Sequence, residues 1–557
     1  MNKISDSHKT STVNEEHRLI SWENRKIHLV LILGAAAFIL IGNLSVMSLW
    51  GSEGRWALIS RHMYGTGEVF QPLLGSVLYW DKPLLSYWLI LPFAFINGGV
   101  TEAIVRLPSV ISALLLLLLT FDMARLWFGI RTALLSTAVL ATSYGFVFWG
   151  RNAQVEMLNA VVIFLSIWYF LKHKSDKSPG WLYLFGVIMG LGANLKGLPA
   201  YGVPIFSIAL LLIVRRERPN ALSLRHCFAA MALSLIVYLS LPLTAVLVTG
   251  TWSPLELVWQ ENVVRFFQPF DHKGPIWTYF VRIFDLAAPW SLLLPAALIH
   301  LLPKFRDSKS PTAELGILFA AIFVFFTLSG SRRSYYLLPI LPFASILTGL
   351  LLMDFSERLL TRPFDLFVAS FGFIVGIIFA APLFALVFYP SGLPFVTTSL
   401  WIASLLSAFV STALIGFSAK RRAGGMAASM MAAWLLYSYG MVPLSTEFPN
   451  LRTQVMEVKK LGKPCAFYPK AVERVLFYLD SPCLVFTKEE SAYEWAVREG
   501  GVVIVDDETE MKKWRSVVES HSWKAMLPPL SQNSLEAPEG VSDYIDHEQS
   551  AAIELQK

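Results

Sequence analysis

Charge-poor apolar runs recur from about residue 27 to about residue 445, separated by short polar links. They lie near 27–48, 108–124, 132–149, 157–171, 181–195, 200–214, 227–249, 285–302, 314–330, 337–353, 365–388, 395–417 and 426–445. Each approaches the roughly 20 residues that a helix needs to cross a bilayer, so the pattern predicts about thirteen transmembrane helices. A further run, 84–97 (LLSYWLILPFAFIN), is short and contains Pro92. It reads as a juxtamembrane or re-entrant helix within a long outer loop, 49–107.

The pattern changes near residue 446. Apolar runs at 465–468 (CAFY), 483–487 (CLVFT) and 501–505 (GVVIV) have the length of short buried strands, and 470–480, 488–499 and 508–520 carry helical spacing. Strands alternating with helices predict a small α/β domain with a parallel sheet. The expected division is a transmembrane domain over 1–445 and a soluble α/β domain over 446–557.

Basic residues orient this arrangement. With the N-terminus in the cytoplasm, Arg125/Arg131, Lys172/Lys174/Lys177, Arg215/Arg216/Arg218, Lys304/Arg306/Lys309, Arg358/Arg362 and Lys420/Arg421/Arg422 all fall in cytoplasmic loops, as the positive-inside rule demands. Counting 84–97 as a span would invert the pattern. The C-terminal domain then lies outside.

Composition excludes the competing classes. Of 557 residues, 55% are apolar and 15% charged, against roughly 25% charged in soluble globular chains. An ordinary cytosolic enzyme, a disordered scaffold and a fibrous protein are ruled out. The net charge of +6 is spread over short clusters, which argues against nucleic acid as a partner. Three cysteines make no disulfide framework. Cys465 and Cys483 start neighbouring predicted strands, and whether they pair stays open. The polar N-terminus lacks the apolar stretch and small-residue site of a cleaved signal peptide. No internal repeat supports an inverted-repeat transporter.

Ionisable groups near membrane depth are costly and need a reason to be there. The charges left outside the basic loops gather on the outer side. They include Ser52-Glu53-Gly54-Arg55-Trp56, Asp81-Lys82-Pro83, Glu102, Arg106, Arg151-Asn152, Glu156, Lys196-Gly197, Glu261-Asn262, Arg265, Asp271-His272-Lys273 and Arg332-Arg333-Ser334-Tyr335-Tyr336. A cationic cleft with a few carboxylates suits a phosphate-bearing lipid. Arginine binds phosphate through a bidentate fork and lysine as a point charge. A carboxylate beside a sugar activates an acceptor or balances charge on the ring. Each piece also has a bland reading: helix-start acids at Asp81 and Glu156, a helix-end cation at Lys196, interfacial anchors at Arg332 and Arg333, a solvated loop histidine at His272.

In order and spacing these elements resemble the protein O-mannosyltransferase-like branch of the C-type (GT-C) glycosyltransferases, which includes bacterial aminoarabinose transferases that modify lipid A. The family's Asp-Glu-x-Arg-aromatic motif matches Ser52–Trp56, and its acid-Lys-Pro-Pro-Leu-Leu-x-Tyr-Trp element matches Asp81–Trp88. Arg106–Ser109, Lys196-Gly197, Asn262 with Arg265-Phe266, Pro289-Trp290 and Arg332–Pro339 match its later motifs. The resemblance implies a GT-C fold and a polyprenyl-phosphate-dependent transferase. Such an enzyme sits in the bacterial inner membrane, here with the C-terminal domain in the periplasm, and moves a sugar from undecaprenyl phosphate, with inversion, to a lipid (lipid A-like), glycan or protein acceptor on the periplasmic face.

On this reading Glu53, Asp81 and Glu156 are the catalytic candidates. Arg55, Lys82, Lys196, Arg332, Arg333 and Tyr335 hold the donor phosphate, and Ser52, Arg265 and His272 belong to the acceptor or loop region. No cofactor is demanded; a divalent metal at Asp81 or Glu102 stays open, since no His/Cys spacing requires one. The expected partners are the donor, the acceptor and membrane lipids, with a monomeric chain. Two positions depart from the family. Ser52 stands where it has Asp, and Glu156 where it has Asp. Serine cannot be a carboxylate base, so Glu53 or Glu156 takes over, the acceptor is an already ionised phosphate, or the chain is a degenerate member. A lipid-linked-sugar flippase or transporter is the alternative from another class. It needs a charged path between the two faces, whereas these charges are nearly all external.

Overall fold

The computed structural model describes residues 26–260, 274–371, 419–441 and 450–505, apart from positions 76, 220–221, 331, 358, 364–365 and 369. The expected spans 365–388 and 395–417 fall almost wholly outside these residues, as does the expected helix 508–520.

The first apolar run forms α1 (Lys26–Ile41). The long loop holds α2 (Glu53–Thr66), a hairpin of β1 (Leu73–Leu74) and β2 (Val77–Leu78), and the short helices α3 (Leu85–Trp88) and α4 (Leu91–Asn97). Run 84–97 is thus two short helices, the second with Pro92 in its first turn, where proline is tolerated. The bundle continues with α5 (Glu102–Phe128), α6 (Ile130–Ala141), α7 (Tyr144–Gly150), α8 (Glu156–His173), α9 (Gly180–Lys196), α10 (Pro199–Arg215), α11 (Leu224–Thr249) and α12 (Ser253–Trp259). After the 261–273 stretch come α13 (Thr278–Leu286), α14 (Leu293–Phe305), α15 (Pro311–Leu328), a 3-10 turn (Ser334–Ile340), α16 (Leu341–Ser356) and α17 (Ala419–Leu436).

Among the described residues, α5, α11, α15 and the continuous run Ser334–Ser356 are each long and apolar enough to cross a bilayer; α6 and α7 make a fifth candidate, bent by 63°. The chain is an α-helical, multi-pass membrane protein. The sequence reads 132–149 as one helix; the break has a local cause. Thr142 and Ser143 return their hydroxyls to the Ala138 and Val139 carbonyls at 2.7 and 2.8 Å, a bond that bends helices. Two indoles then satisfy the break: Trp290 Nε1 donates to Thr142 Oγ1 (2.8 Å) and Trp434 Nε1 to the Thr142 carbonyl (2.8 Å).

Helix contacts follow the small residues. A Cβ on Gly190 would meet the Ser234 carbonyl oxygen at 2.6 Å, so only glycine lets α9 lie this close to α11. The main core joins Leu40, Leu117, Phe146, Phe164, Ile322 and Leu347 from six helices.

The C-terminal stretch begins with α18 (Leu451–Lys460), started by an Asn450/Thr453 capping box. It continues through β3 (Cys465–Tyr468), α19 (Glu473–Leu479), β4 (Leu484–Val485), α20 (Glu489–Glu499) and β5 (Val502–Val505). The strands lie in the order β4-β3-β5, and both neighbours of β3 run parallel to it. Cys465 and Cys483 form a disulfide, which closes the β3–α19–β4 crossover. Part of this unit's core is its own, built from Ala466, Tyr468, Ala492, Trp495, Val503 and Val505; the rest is shared. Val455, Phe467, Val475 and Phe477 pack into one cluster with Trp56, Ile59, Met63, Tyr87 and Leu91 of the long loop.

Candidate functional site

The ends of α8 and α9, the segment before α3 and the turn before α16 meet at the end of the bundle that carries the long loop. Lys196 closes α9 and forms an ion pair with Glu156, which opens α8. The Lys196 ammonium also lies 5.1 Å from the Tyr335 ring centre and 4.7 Å from that of Tyr336, so two aromatic faces and one carboxylate hold it. Arg333 Nη1 donates to the Tyr335 hydroxyl at 2.7 Å, and Tyr335 packs on Trp149. Lys82 and Arg333 are near enough to Lys196 to repel it. Cations from three distant segments therefore share one region, and among the described residues Glu156 is the carboxylate paired to Lys196.

Beside it runs a row of alternating charge. Lys82 Nζ bonds Asp81 Oδ2 at 2.8 Å, and the same oxygen takes Arg55 Nη1 at 3.0 Å. Arg55 lies over Tyr79 at 4.9 Å, and its Nη2 is 3.5 Å from Glu473 of α19. The structure thus brings together Arg55, Asp81 and Lys82 in one row, and Glu156, Lys196, Arg333 and Tyr335 in another group.

Other candidates face elsewhere. Glu53 is fully buried, with both oxygens engaged. Arg106 Nε and Nη2 donate at 2.8 and 2.6 Å, the Trp50 amide at 2.8 Å and the Ala153 amide at 2.6 Å. Ser52 is the residue before α2, and its side chain makes no capping bond. Arg332 reaches the Gly274 and Thr327 carbonyls, and so ties the end of α15 to the segment entering α13. Glu102 lies 3.4 Å from Arg452 and interacts with Tyr478, whose phenol burial pushes up. Arg265 and His272 lie outside the described residues. Asp81 and Glu102 take different partners, and among the described residues no three His, Cys, Asp or Glu side chains gather as metal ligands.

Tyr336, named only as part of its stretch, and Glu473, not named at all, enter the arrangement without a role read from the sequence. Tyr336 follows Tyr335 in a basic-aromatic stretch, so the signal was visible. Glu473 lies some 400 residues from its partner and carries no motif. Helices α13, α14 and α15 line an open apolar cavity of about 580 Å³, with Phe280, Phe284, Leu294, Leu298, Phe319 and Phe323 in its walls. Its α15 wall leads toward the cationic group: Phe323 lines the cavity and meets Phe280 at 4.8 Å, and Phe326, three residues on, meets Tyr336 at 6.2 Å.

The family model for dolichyl-phosphate-mannose-protein mannosyltransferase matches residues 81–241, a stretch that includes Asp81, Lys82, Glu156 and Lys196. The undecaprenyl phosphate-alpha-4-amino-4-deoxy-L-arabinose arabinosyl transferase of Erwinia tasmaniensis is 30% identical over 316 residues, covering 53% of this chain and 54% of that protein. A Pseudomonas fluorescens transferase of the same name is 30% identical over 329 residues, 56% of each chain. The chain thus spans about half the length of the curated relatives it matches. Among solved structures, ArnT from Cupriavidus metallidurans bound to undecaprenyl phosphate superposes with a TM-score of 0.65 at 20% identity, over 89% of this chain and 95% of that one. Its apo state gives 0.59 at 21% identity, over 87% and 90%. The chain shares the GT-C fold of ArnT and is similar in sequence to the aminoarabinose transferases.

Proposed function

We propose that the chain is an inner-membrane glycosyltransferase that takes a sugar from an undecaprenyl phosphate-linked donor and passes it to a lipid A-like acceptor. The observation that carries this reading is the convergence of Lys82, Lys196 and Arg333 at one end of the bundle, beside an apolar cavity. Phosphate sits among the three cations, and the polyprenyl tail extends along the phenylalanine-lined wall. The names of the relatives, and the undecaprenyl phosphate bound to ArnT, support the same donor.

The chemistry follows from charge. The bond between the sugar's anomeric carbon and the phosphate oxygen breaks as an acceptor oxygen attacks the opposite face, so the configuration inverts. The electron pair leaves with undecaprenyl phosphate, and Lys82, Lys196 and Arg333 stabilise the charge that develops there. In other enzymes one such donor contributes about 3–4 kcal/mol to the transition state. Asp81 and Glu156 each bond a cation, and Glu53 is spent on Arg106. None is placed as an uncommitted base. A phosphate acceptor is already ionised and needs no base, which suits Ser52 at the position of the family's Asp. Glu53 then acts by fixing the loop rather than by touching substrate.

About thirteen spans, a cytoplasmic N-terminus and an outer C-terminal domain over 446–557 complete the reading. The basic loops support this orientation, and the Cys465–Cys483 disulfide supports an oxidising face for the C-terminal unit. The test is transfer from undecaprenyl phosphate-linked aminoarabinose in membranes containing Lys82→Ala or Lys196→Ala. Loss of transfer in both is expected; full activity in both sinks the reading.

A further inference from the structure

The C-terminal unit reaches the charged row at Glu473. The two ends of the Arg55 fork face different carboxylates: Asp81 at 3.0 Å and Glu473 at 3.5 Å. The Asp81 contact is the shorter, and Asp81 is also held by Lys82. The Glu473 contact is longer, and its side chain keeps 28% exposure against 20% for Asp81. Glu473 is therefore the more readily displaced of the two.

Its backbone is fixed all the same. α19 is the crossover closed by the disulfide between Cys465 and Cys483. Its first turn touches α2 where Gly54 leaves room: a Cβ there would lie 2.6 Å from the Glu473 carbonyl carbon. At the other end of α19, Arg61 bonds the Phe477 carbonyl at 2.9 Å and Asp480 at 3.0 Å, with its guanidinium 3.8 Å from the Phe477 ring centre. The helix bearing Glu473 is thus fastened at both ends to the helix bearing Arg55.

We propose that Glu473 is a counter-anion built into the donor-phosphate site, occupying Arg55 Nη2 and competing with the ligand phosphate for it. This rests on the phosphate-site reading above and extends that site to Arg55, which shares Asp81 Oδ2 with Lys82. Its use follows from the change of charge during transfer. The donor is a phosphodiester with one negative charge; the leaving group is a phosphomonoester with up to two. A purely cationic site would grip the product harder than the substrate. Repulsion scales with the charge of the ligand, so a carboxylate fixed beside Arg55 penalises the monoester more and favours its release.

The experiment is binding of undecaprenyl phosphate, and of its methyl ester, to the full-length chain in nanodiscs. Glu473→Gln keeps the shape and removes the charge. It should tighten undecaprenyl phosphate binding about fivefold at low salt, the scale of one partly exposed ion pair, with a smaller gain for the methyl ester. In an Arg55→Gln background the gain should fall below about twofold, because the competition is for Arg55. Glu473→Asp should keep wild-type affinity. Unchanged or weaker binding in Glu473→Gln overturns the proposal. So does a full gain that persists without Arg55, or an equal gain in Glu473→Asp, which would mark mere loosening of α19. Lys82→Ala and Lys196→Ala, measured alongside, separate the two readings. If they weaken binding and Glu473→Gln does not tighten it, the counter-anion alone is wrong. Unchanged affinity in both lysine variants overturns the phosphate site and the counter-anion with it.

Discussion

Arg106 meets Glu53 through two parallel hydrogen bonds, Nε to Oε1 at 2.8 Å and Nη2 to Oε2 at 2.6 Å, at a point where neither side chain reaches solvent to any extent. The remaining donors of Arg106 go to the Leu44, Met47 and Ser48 carbonyls at 2.6, 3.0 and 3.0 Å. Glu53 meanwhile accepts from the Trp50 and Ala153 amides. One ion pair therefore fastens the segment leaving α1, the start of α2, the start of α5 and the link between α7 and α8.

Removing one partner leaves a buried charge and several backbone groups unpaired. Arg106→Ala should destabilise the protein by about 3–5 kcal/mol, and Arg106→Lys, which lacks the fork, should recover little of that. Thermal unfolding in detergent measures it; a loss below about 1 kcal/mol would show that the clamp is dispensable. Glu53→Gln decides the role of the carboxylate. Its specific activity, counted per folded molecule, should stay within about tenfold of wild type, whereas a base in direct contact with substrate would cost about 100-fold or more.

Gly54 sets how closely α2 and α19 approach. The atom a Cβ would strike belongs to backbone, which cannot swing aside. Gly54→Ala should push the helices apart at a cost of about 1–3 kcal/mol. Limited proteolysis should then cut between α17 and α18 faster than in wild type, with the Cys465–Cys483 bond intact by mass spectrometry. Unaltered cleavage and melting would mean that the contact is looser than its geometry implies.

Much of this was legible in the sequence, for different reasons. The runs 465–468, 483–487 and 501–505 each contain one of the parallel strands, because short apolar runs between polar links leave few alternatives. Lys82 and Lys196 stood out because charge near membrane depth is costly. Partnership was harder to see. Glu53 and Arg55 look like a local pair, yet residues two apart on a helix do not face each other. Glu53 turns to Arg106, 53 residues on, and Arg55 turns to Asp81 and Glu473. The bend in 132–149 was hidden because both halves are equally apolar; Thr142-Ser143 was its trace. The link between Glu473 and Arg55 exists only through the tertiary fold.

Lys196 combines an ion pair with two aromatic faces, so its charge is held in place before any ligand arrives. A phosphate that meets it forms a charge-assisted hydrogen bond worth about 1.5–3 kcal/mol. Lys196→Gln should therefore weaken undecaprenyl phosphate binding by roughly tenfold or more. Because the lost term is electrostatic, the deficit should narrow as ionic strength rises. A titration at two salt concentrations checks both statements; equal affinity in wild type and variant would remove Lys196 from the phosphate site.

The opposite end of the bundle supplies a control with its own physics. Lys174, just beyond α8, bonds Glu217 and Glu314 at 2.8 Å each, and Arg215 reaches Glu217 at 2.6 Å and Glu314 at 3.5 Å. Arg215 also donates to the Ser310 and Lys309 carbonyls, so the network ties three interhelical links together. Glu314 is buried, and removing its carboxylate leaves Lys174 and Arg215 with only Glu217 of the two shared carboxylates. Glu314→Ala should lower stability by about 3 kcal/mol. The network begins at the far end of the 18-residue α8 from Glu156, about 27 Å away at 1.5 Å per residue, well beyond a Debye length at physiological salt. Binding of undecaprenyl phosphate by the folded fraction should therefore stay within twofold of wild type. A much larger change would mean that the two ends of the bundle are energetically coupled, as a transporter requires and a transferase with its chemistry at one end does not.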